Sequence, residues 1–375
     1  MKMDKEVFKQ DELAVYAMRD LYQRYGYTQY RVSKFEEYDL YAKNKSFLVS
    51  ENILTFTDTN GKLMALKPDV TLSIIKNIGK EDKTLHKYFY DETVYRTGAG
   101  WNGFREIMQT GLECIGDIDL YAVAEVVMLA KKSLSLISND CVLALSHMGL
   151  VTGLLENAGI DPDGTAELLN YIETKNTHAI RKYAEQHAIS SNDTEAICRI
   201  TELYEPLDVA LEAIAPMVRG QKMEDAYREL RGVSDLMQAY GSHDGLYLDF
   251  SVVNDMSYYN GIIFRGFING IPDGVLSGGR YDRLLSKMGK AAGAIGFAVY
   301  LDLLEQLNRD AVVYDVDVVL SYDVSTDIAA LIRAAEELRK AGKRVLIQRN
   351  GAISVRFRQR MQIGKGGLEV LEAYD

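Results

Sequence analysis

The stretch richest in reactive side chains is Met108–Gly116, "MQTGLECIG". Alternate residues of a strand share a face. Gln109, Gly111 and Glu113 therefore point one way, and Met108, Leu112 and Cys114 the other. An amide and a carboxyl cannot make an ordinary apolar core face. If buried, each is hydrogen-bonded or costs about 1–3 kcal/mol. That face is either solvated or the wall of a polar pocket. "LKPDVT", 66–71, sets the carboxylate of Asp69 two residues from the hydroxyl of Thr71, just past a proline. The pair suits capping of a following helix or capture of an ammonium group. "SGGRYD", Ser277–Asp282, places Arg280, Tyr281 and Asp282 after two glycines. Glycines there admit either a close approach to a ligand or a structural bulge. In "FSVVNDMSYYNGIIFRGF", 250–267, Tyr258 and Tyr259 are neighbours. On an extended strand, one ring would face a pocket and the other would face packing.

Other chemistries are poorly supplied. "GKGG", 364–367, lacks the spacing and hydroxyl of a phosphate-binding loop and reads as a turn. The 5 histidines are scattered without an HExxH, and the 3 cysteines (Cys114, Cys141, Cys198) have no CxxC spacing. No metal, cofactor or disulfide framework is expected, and the cysteine usage fits a reducing cytosol. With 43 basic against 54 acidic residues the net charge is -11, which disfavours a phosphate backbone as partner. The first twenty residues lack the apolar core of a signal peptide. The apolar run Cys141–Leu155 is too short and too polar to span a bilayer. A cytoplasmic chain with no membrane contact is expected.

The elements that must position these residues follow from periodicity. Residues 6–25 carry apolar positions at helical spacing and stop before Gly26. Ile53–Thr57 and Lys62–Leu66 flank Asn60-Gly61 as a hairpin. Pro68 ends the second strand, and a helix restarts after it. "HKYFYDETVYRT" and "REIMQTGLECIG" read as strands joined by "GAGWNG", followed by a helix with Asp119 as N-cap. Cys141–Ser146 is a short strand. About 165–240 is charge-dense and helical, an insertion. Strands return at "LYLDF" and "GIIFRGF", and "GVLSGGRYDRLLSKMG" is strand, glycine break, helix. "AGAIGFAVYLDLLEQL" is a strand or turn leading into a helix. Beyond Arg309 a strand, a helix and a strand form a βαβ unit. The fold class is α+β: an antiparallel sheet flanked by helices in a domain of residues 1–310, then a small α/β domain, 313–375.

The order of these motifs resembles histidyl-tRNA synthetase, from about residue 6 to 305. The series runs from "LKPDVT" through "VYRTGAGWNGFREIMQTGLECIG", "SYYNGIIF" and "SGGRYDRLL" to "GAIGFAVYLDLL". It includes class II synthetase motif 2, the family's two histidine-pocket motifs and motif 3. The resemblance implies the class II sheet flanked by helices, and a dimer. It implies that Asp69 and Thr71 hold an amino group, the acid being one carbon shorter than the family's Glu. It places Gln109 and Glu113 on the pocket strand, with Glu113 towards an imidazole. Tyr259 stands near the ring with Tyr258 before it, Tyr281 is the tyrosine of "GGRYD", and Arg96 is the motif 2 arginine that reaches the carboxylate.

The groups that would activate an amino acid depart from that pattern. Asn254, followed by Asp255, stands where the family has an arginine at the α-phosphate. Leu303 replaces the motif 3 arginine, and Tyr300 replaces a small glycine and would crowd a nucleotide. Loss of one preorganised donor costs about 10²–10³ in rate. The last domain, about 63 residues from Val313, is shorter than the family's anticodon-binding domain. With the pocket kept, the ATP groups lost and the tail cut short, the chain resembles the regulatory-subunit family of short-form ATP phosphoribosyltransferases. That resemblance implies a non-catalytic homodimer joined to the short catalytic subunit in a hetero-octamer. It implies activation of that subunit and feedback inhibition by histidine in histidine biosynthesis, without tRNA. The alternative is a divergent class II ligase adenylating a small amino acid.

Overall fold

The computed structural model describes residues 10–48, 52–97, 103–252, 258–308, 314–364 and 366–374. The chain divides into two compact units, Met1–Leu307 and Asn308–Asp375. In the first unit, helix α1 (Gln10–Arg24) buries Ala14, Val15, Met18 and Tyr22, the one-face spacing of an amphipathic helix. Strands Thr55–Thr57 and Leu63–Leu66 form the expected hairpin, and Phe35–Glu37 joins it as a third strand. Helix α2 (Thr71–Ile75) follows Pro68.

The main sheet rests on six antiparallel strands: β1 (His86–Arg96), β2 (Arg105–Gly116), β3 (Cys141–His147), β4 (Ile262–Ile268), β5 (Leu276–Arg280) and β6 (Gly293–Tyr300). Their spatial order is β1-β2-β6-β5-β4-β3. Thr28–Gln29 pairs in parallel with β1 at one edge, and Leu246–Leu248 pairs in parallel with β3 towards the other. Residues from distant parts of the chain thus lie side by side. Gly111 of β2 meets Ala298 of β6, which meets Ser277 of β5, which meets Arg265 of β4.

Alternation divides this sheet into an apolar face and a polar one. Leu112 and Cys114 of β2, Phe264 of β4 and Phe297 of β6 pack beneath α1 and helix α3 (Leu120–Ile137). Met108, expected on the same face as Leu112 and Cys114, is exposed. The α3 helix buries Val123, Val126, Val127, Ala130 and Leu134. Its N-cap is Asp119, whose Oδ1 accepts the Ala122 N–H at 2.8 Å. The opposite face carries a second apolar cluster, including Tyr90, Ile74, Leu284 and Ala294, and it leaves a hollow.

Between β3 and Leu246–Leu248 the chain is helical: Met148–Asn157, Pro162–Glu173, Thr177–Gln186, Ser191–Glu202, Leu207–Ile214 and Gly220–Ala239. Leu168, Ile180, Ile197, Leu211 and Leu230 of these helices belong to the same core as the sheet's apolar face. The two-residue strand Glu205–Pro206 pairs with Leu246–Leu248. That pairing was not foreseen, since two residues carry no period.

The second unit has β7 (Val316–Tyr322), helix α4 (Ile328–Lys340) and β8 (Val345–Arg349), with β8 parallel to β7. Two further strands, β9 (Phe357–Gly364) and β10 (Gly367–Ala373), extend the sheet beyond a simple βαβ unit. Gly364 and Gly367 face each other at the turn that "GKGG" announced. Substituting Asp119 by Ala removes the α3 cap. It lowers the stability of the first unit by about 1 kcal/mol, read as a lower urea midpoint with an unchanged slope.

Candidate functional site

The polar face of the sheet encloses a cavity of about 420 Å³. Its floor is β2, β6, β5 and β4, and one wall is the start of α2. All eight residues singled out in the sequence lie on its lining. Asp69 and Thr71 come from the α2 end, Arg96 from β1, and Gln109 and Glu113 from β2. Tyr258, Tyr259 and Tyr281 complete the set from the segments before β4 and after β5. Asn254 and Asp255 fall outside the described residues, as does most of the "GAGWNG" loop. Leu303 packs against the apolar core, whereas Tyr300 lines the cavity.

Glu113 lines the cavity with 2% of its surface exposed. Thr71 Oγ1 donates to its Oε1 at 2.6 Å, and the Tyr281 hydroxyl donates to its Oε2. No lysine or arginine pairs with it among the described residues. Burial pushes its pKa up from 4.5 to about 8, against the two hydroxyl donors, which lower it, and Asp69 adds a further rise. Gly296 makes room for this carboxyl. A Cβ there would stand 1.9 Å from Glu113 Oε2 and 2.5 Å from the Leu112 carbonyl oxygen.

Asp69 caps the helix and also faces the cavity. Its Oδ1 accepts the Leu72 N–H at 2.8 Å, capping α2, while the residue lines the cavity. Burial raises its pKa, and Arg96 opposes that rise. Arg96 in turn donates from Nε to the Pro68 carbonyl oxygen at 2.7 Å and holds an amino group 3.9 Å from Asp69. The preceding Lys67 is fully buried and paired with Glu92 of β1, which fastens the whole 67–71 segment to the sheet. Asp282 fixes the other wall. It accepts from Ala294 N–H at 2.9 Å and Arg280 Nε at 2.8 Å, so Tyr281 turns inward.

The two neighbouring tyrosines do not split between pocket and packing. Strand β4 begins only at Ile262, so strict alternation does not govern residues 258 and 259, and both rings line the cavity. Their centroids lie 4.6 Å apart at 60°, and Tyr258 also stands 5.6 Å from Tyr281. Tyr259 lies over Gly279, where a Cβ would come within 2.7 Å of its ring. The aromatic group therefore brackets the space beside Glu113.

Several lining residues had escaped sequence reasoning: Tyr90, Arg265, Ser277 and Ala298. Tyr90, Ser277 and Ala298 face the cavity because of cross-strand register, which a single sequence does not display. Arg265 did leave a signal, a lone charge inside the apolar run "GIIFRGF".

This sheet and lining are those of a class II aminoacyl-tRNA synthetase-like fold. The family model described as histidyl-tRNA synthetase matches residues 3–304, and the chain belongs to that family. It is 28% identical over 330 residues to the ATP phosphoribosyltransferase regulatory subunit of Oceanobacillus iheyensis, covering 86% of this chain and 81% of that one. The regulatory subunit of Clostridium acetobutylicum is 27% identical over 337 residues, covering 87% and 83%. Among solved structures, an ATP phosphoribosyltransferase regulatory subunit/histidyl-tRNA synthetase from Bacillus halodurans superposes with a TM-score of 0.73 at 24% identity, covering 94% and 92%. A histidyl-tRNA synthetase from Nostoc gives 0.71 at 15% identity, covering 98% and 92%.

The raised pKa of Glu113 has a measurable consequence. The folded state holds this proton more tightly than the unfolded state does. Stability therefore falls as pH rises through the interval from 4.5 to about 8. Glu113→Gln removes that contribution, so the variant loses less stability than the parent between pH 5 and 8 in urea unfolding. Equal slopes in the two proteins would contradict the assignment.

Proposed function

We propose that this protein is the non-catalytic regulatory subunit of a short-form ATP phosphoribosyltransferase. It activates the catalytic subunit in the first step of histidine biosynthesis and helps mediate feedback inhibition by histidine. The observation that carries this reading is the convergence of all eight candidate residues on one cavity, in a chain whose curated relatives are named as such subunits. A bound histidine presents an ammonium, a carboxylate and a ring with two nitrogens. Asp69 and Thr71 supply oxygens for the ammonium. Gln109 supplies a donor for the carboxylate, and the guanidinium of Arg96, held by Pro68 and Asp69, adds positive charge beside it. Glu113 and Tyr281 offer polar ends to the ring, between the faces of Tyr258 and Tyr259. A protonated imidazole would favour the ionised form of Glu113, so ring binding and the charge of this buried acid are coupled.

Histidine changes the activity of an assembly only if it binds one state better than the other. The assembly proposed here is a homodimer of this chain joined with catalytic subunits in a hetero-octamer, without tRNA. A similar fold occurs in a chain of the ATP phosphoribosyltransferase complex from Thermotoga maritima, with a TM-score of 0.62 at 20% identity, covering 78% of this chain and 97% of that one.

Adding this protein to a short catalytic chain is expected to raise turnover, and histidine is expected to lower it again. Glu113→Ala or Tyr259→Ala weakens histidine binding by roughly 10-fold or more, since each removes a buried polar partner. Calorimetry with the variants measures this directly. Histidine-dependent exchange of labelled pyrophosphate into ATP would instead identify an amino-acid ligase.

A further inference from the structure

The cavity has a second end, away from Glu113. Arg265 of β4 lines it, three strands from β2 and so about 14 Å across the sheet. The strands between carry Ser277 and Ala298 in register with it, small residues that leave the space above them open. Arg265 has no hydrogen bond or ion pair among the described residues; its guanidinium lies 5.6 Å from the Phe267 ring. Arg96, the cavity's other guanidinium, is already engaged by Pro68 and Asp69. On the β2 side the Gln109 side-chain nitrogen is buried and lacks a partner among the described residues. A buried donor of this kind costs free energy unless an acceptor arrives. A free cation and an unmet donor on one cavity call for an anionic acceptor with more than one oxygen.

We propose that Arg265 holds the ligand's carboxylate, and that the cavity thereby selects a free α-amino acid over its amine or alcohol counterparts. The assignment rests on the histidine reading above and adds a charged partner that the sequence motifs did not contain. A guanidinium is suited to the task, since its planar fork matches two carboxylate oxygens. Its placement depends on Gly274. A Cβ at that position would fall 2.2 Å from Arg265 Nε and 2.8 Å from its Cγ, so a side chain there displaces the arginine. The obstructing atoms belong to a flexible side chain, so the fold can yield locally.

The test is calorimetric titration of the full-length chain with histidine and with histidinol, which keeps the amine and ring but replaces the carboxylate by an alcohol. Arg265→Gln is expected to weaken histidine binding roughly 10- to 100-fold and to leave histidinol binding within about twofold. Retained histidinol binding also shows that the variant is folded. Arg265→Lys recovers part of the loss, and Gly274→Ala reproduces the selective defect with the arginine still present. Unchanged histidine affinity in Arg265→Gln, or equal losses for both ligands, overturns the carboxylate assignment while leaving the histidine site standing. Parent protein that binds neither ligand overturns the histidine reading and this inference with it.

Discussion

A buried carboxyl on the lining of a cavity, with no cation paired to it among the described residues, sets the terms for this structure. Glu113 is buried in the sheet, and among the described residues two hydroxyls serve it, Thr71 from the start of α2 and Tyr281 from just past β5. Burying an unpaired charge is so unfavourable that the group gives up ionisation instead. It becomes a proton-holding acid near neutral pH and joins three chain segments more than forty residues apart. An apolar residue in its place would pack more cheaply. A group with this desolvation, aimed into a cavity, fits recognition of a polar ring better than a structural role.

Most of the charges around that acid are tied down in pairs. Lys67 is locked to Glu92 and Arg280 to Asp282, so the segments bearing Asp69 and Tyr281 are rigid. Asp69 and Arg96 brace one another at the rim. Arg265 alone among the cavity's charges lacks a polar partner among the described residues. The lining is thus asymmetric: an acid and aromatic rings at one end, a cation at the other. Such a distribution is complementary to the histidine proposed as ligand, with its basic ring and acidic head. The small residues of β5 and β6 keep the floor low enough for a ligand to lie across it.

Much of this was legible in the residues themselves. The strand "REIMQTGLECIG" had its limits and inner face marked by alternation, because a period of two is a local property. The α3 helix and its Asp119 cap were equally plain, and so was the hairpin around Asn60-Gly61. Order along the chain identified the fold family, since five motifs in sequence constrain topology more tightly than any one of them. The charge-dense helical stretch also announced itself, although its apolar side joins the main core in a way that composition does not reveal.

Tertiary structure alone decided which residues share a wall. Strands β2, β6, β5 and β4 are neighbours in space, but β2 lies about 150 residues before the other three, so the row Gly111–Ala298–Ser277–Arg265 exists only once register is fixed. The orientation of Tyr258 and Tyr259 was misjudged for a related reason. The strand rule was applied three and four residues before the strand begins at Ile262, where the backbone no longer enforces alternation. Whether Asp69 capped a helix or lined a pocket was also undecidable from one chain, and the fold shows that it does both. Sequence sets the chemistry available at each position, because residue type and local period are encoded residue by residue. Folding decides which of those groups meet, because hydrogen-bonded register and burial are collective properties of segments far apart in the chain.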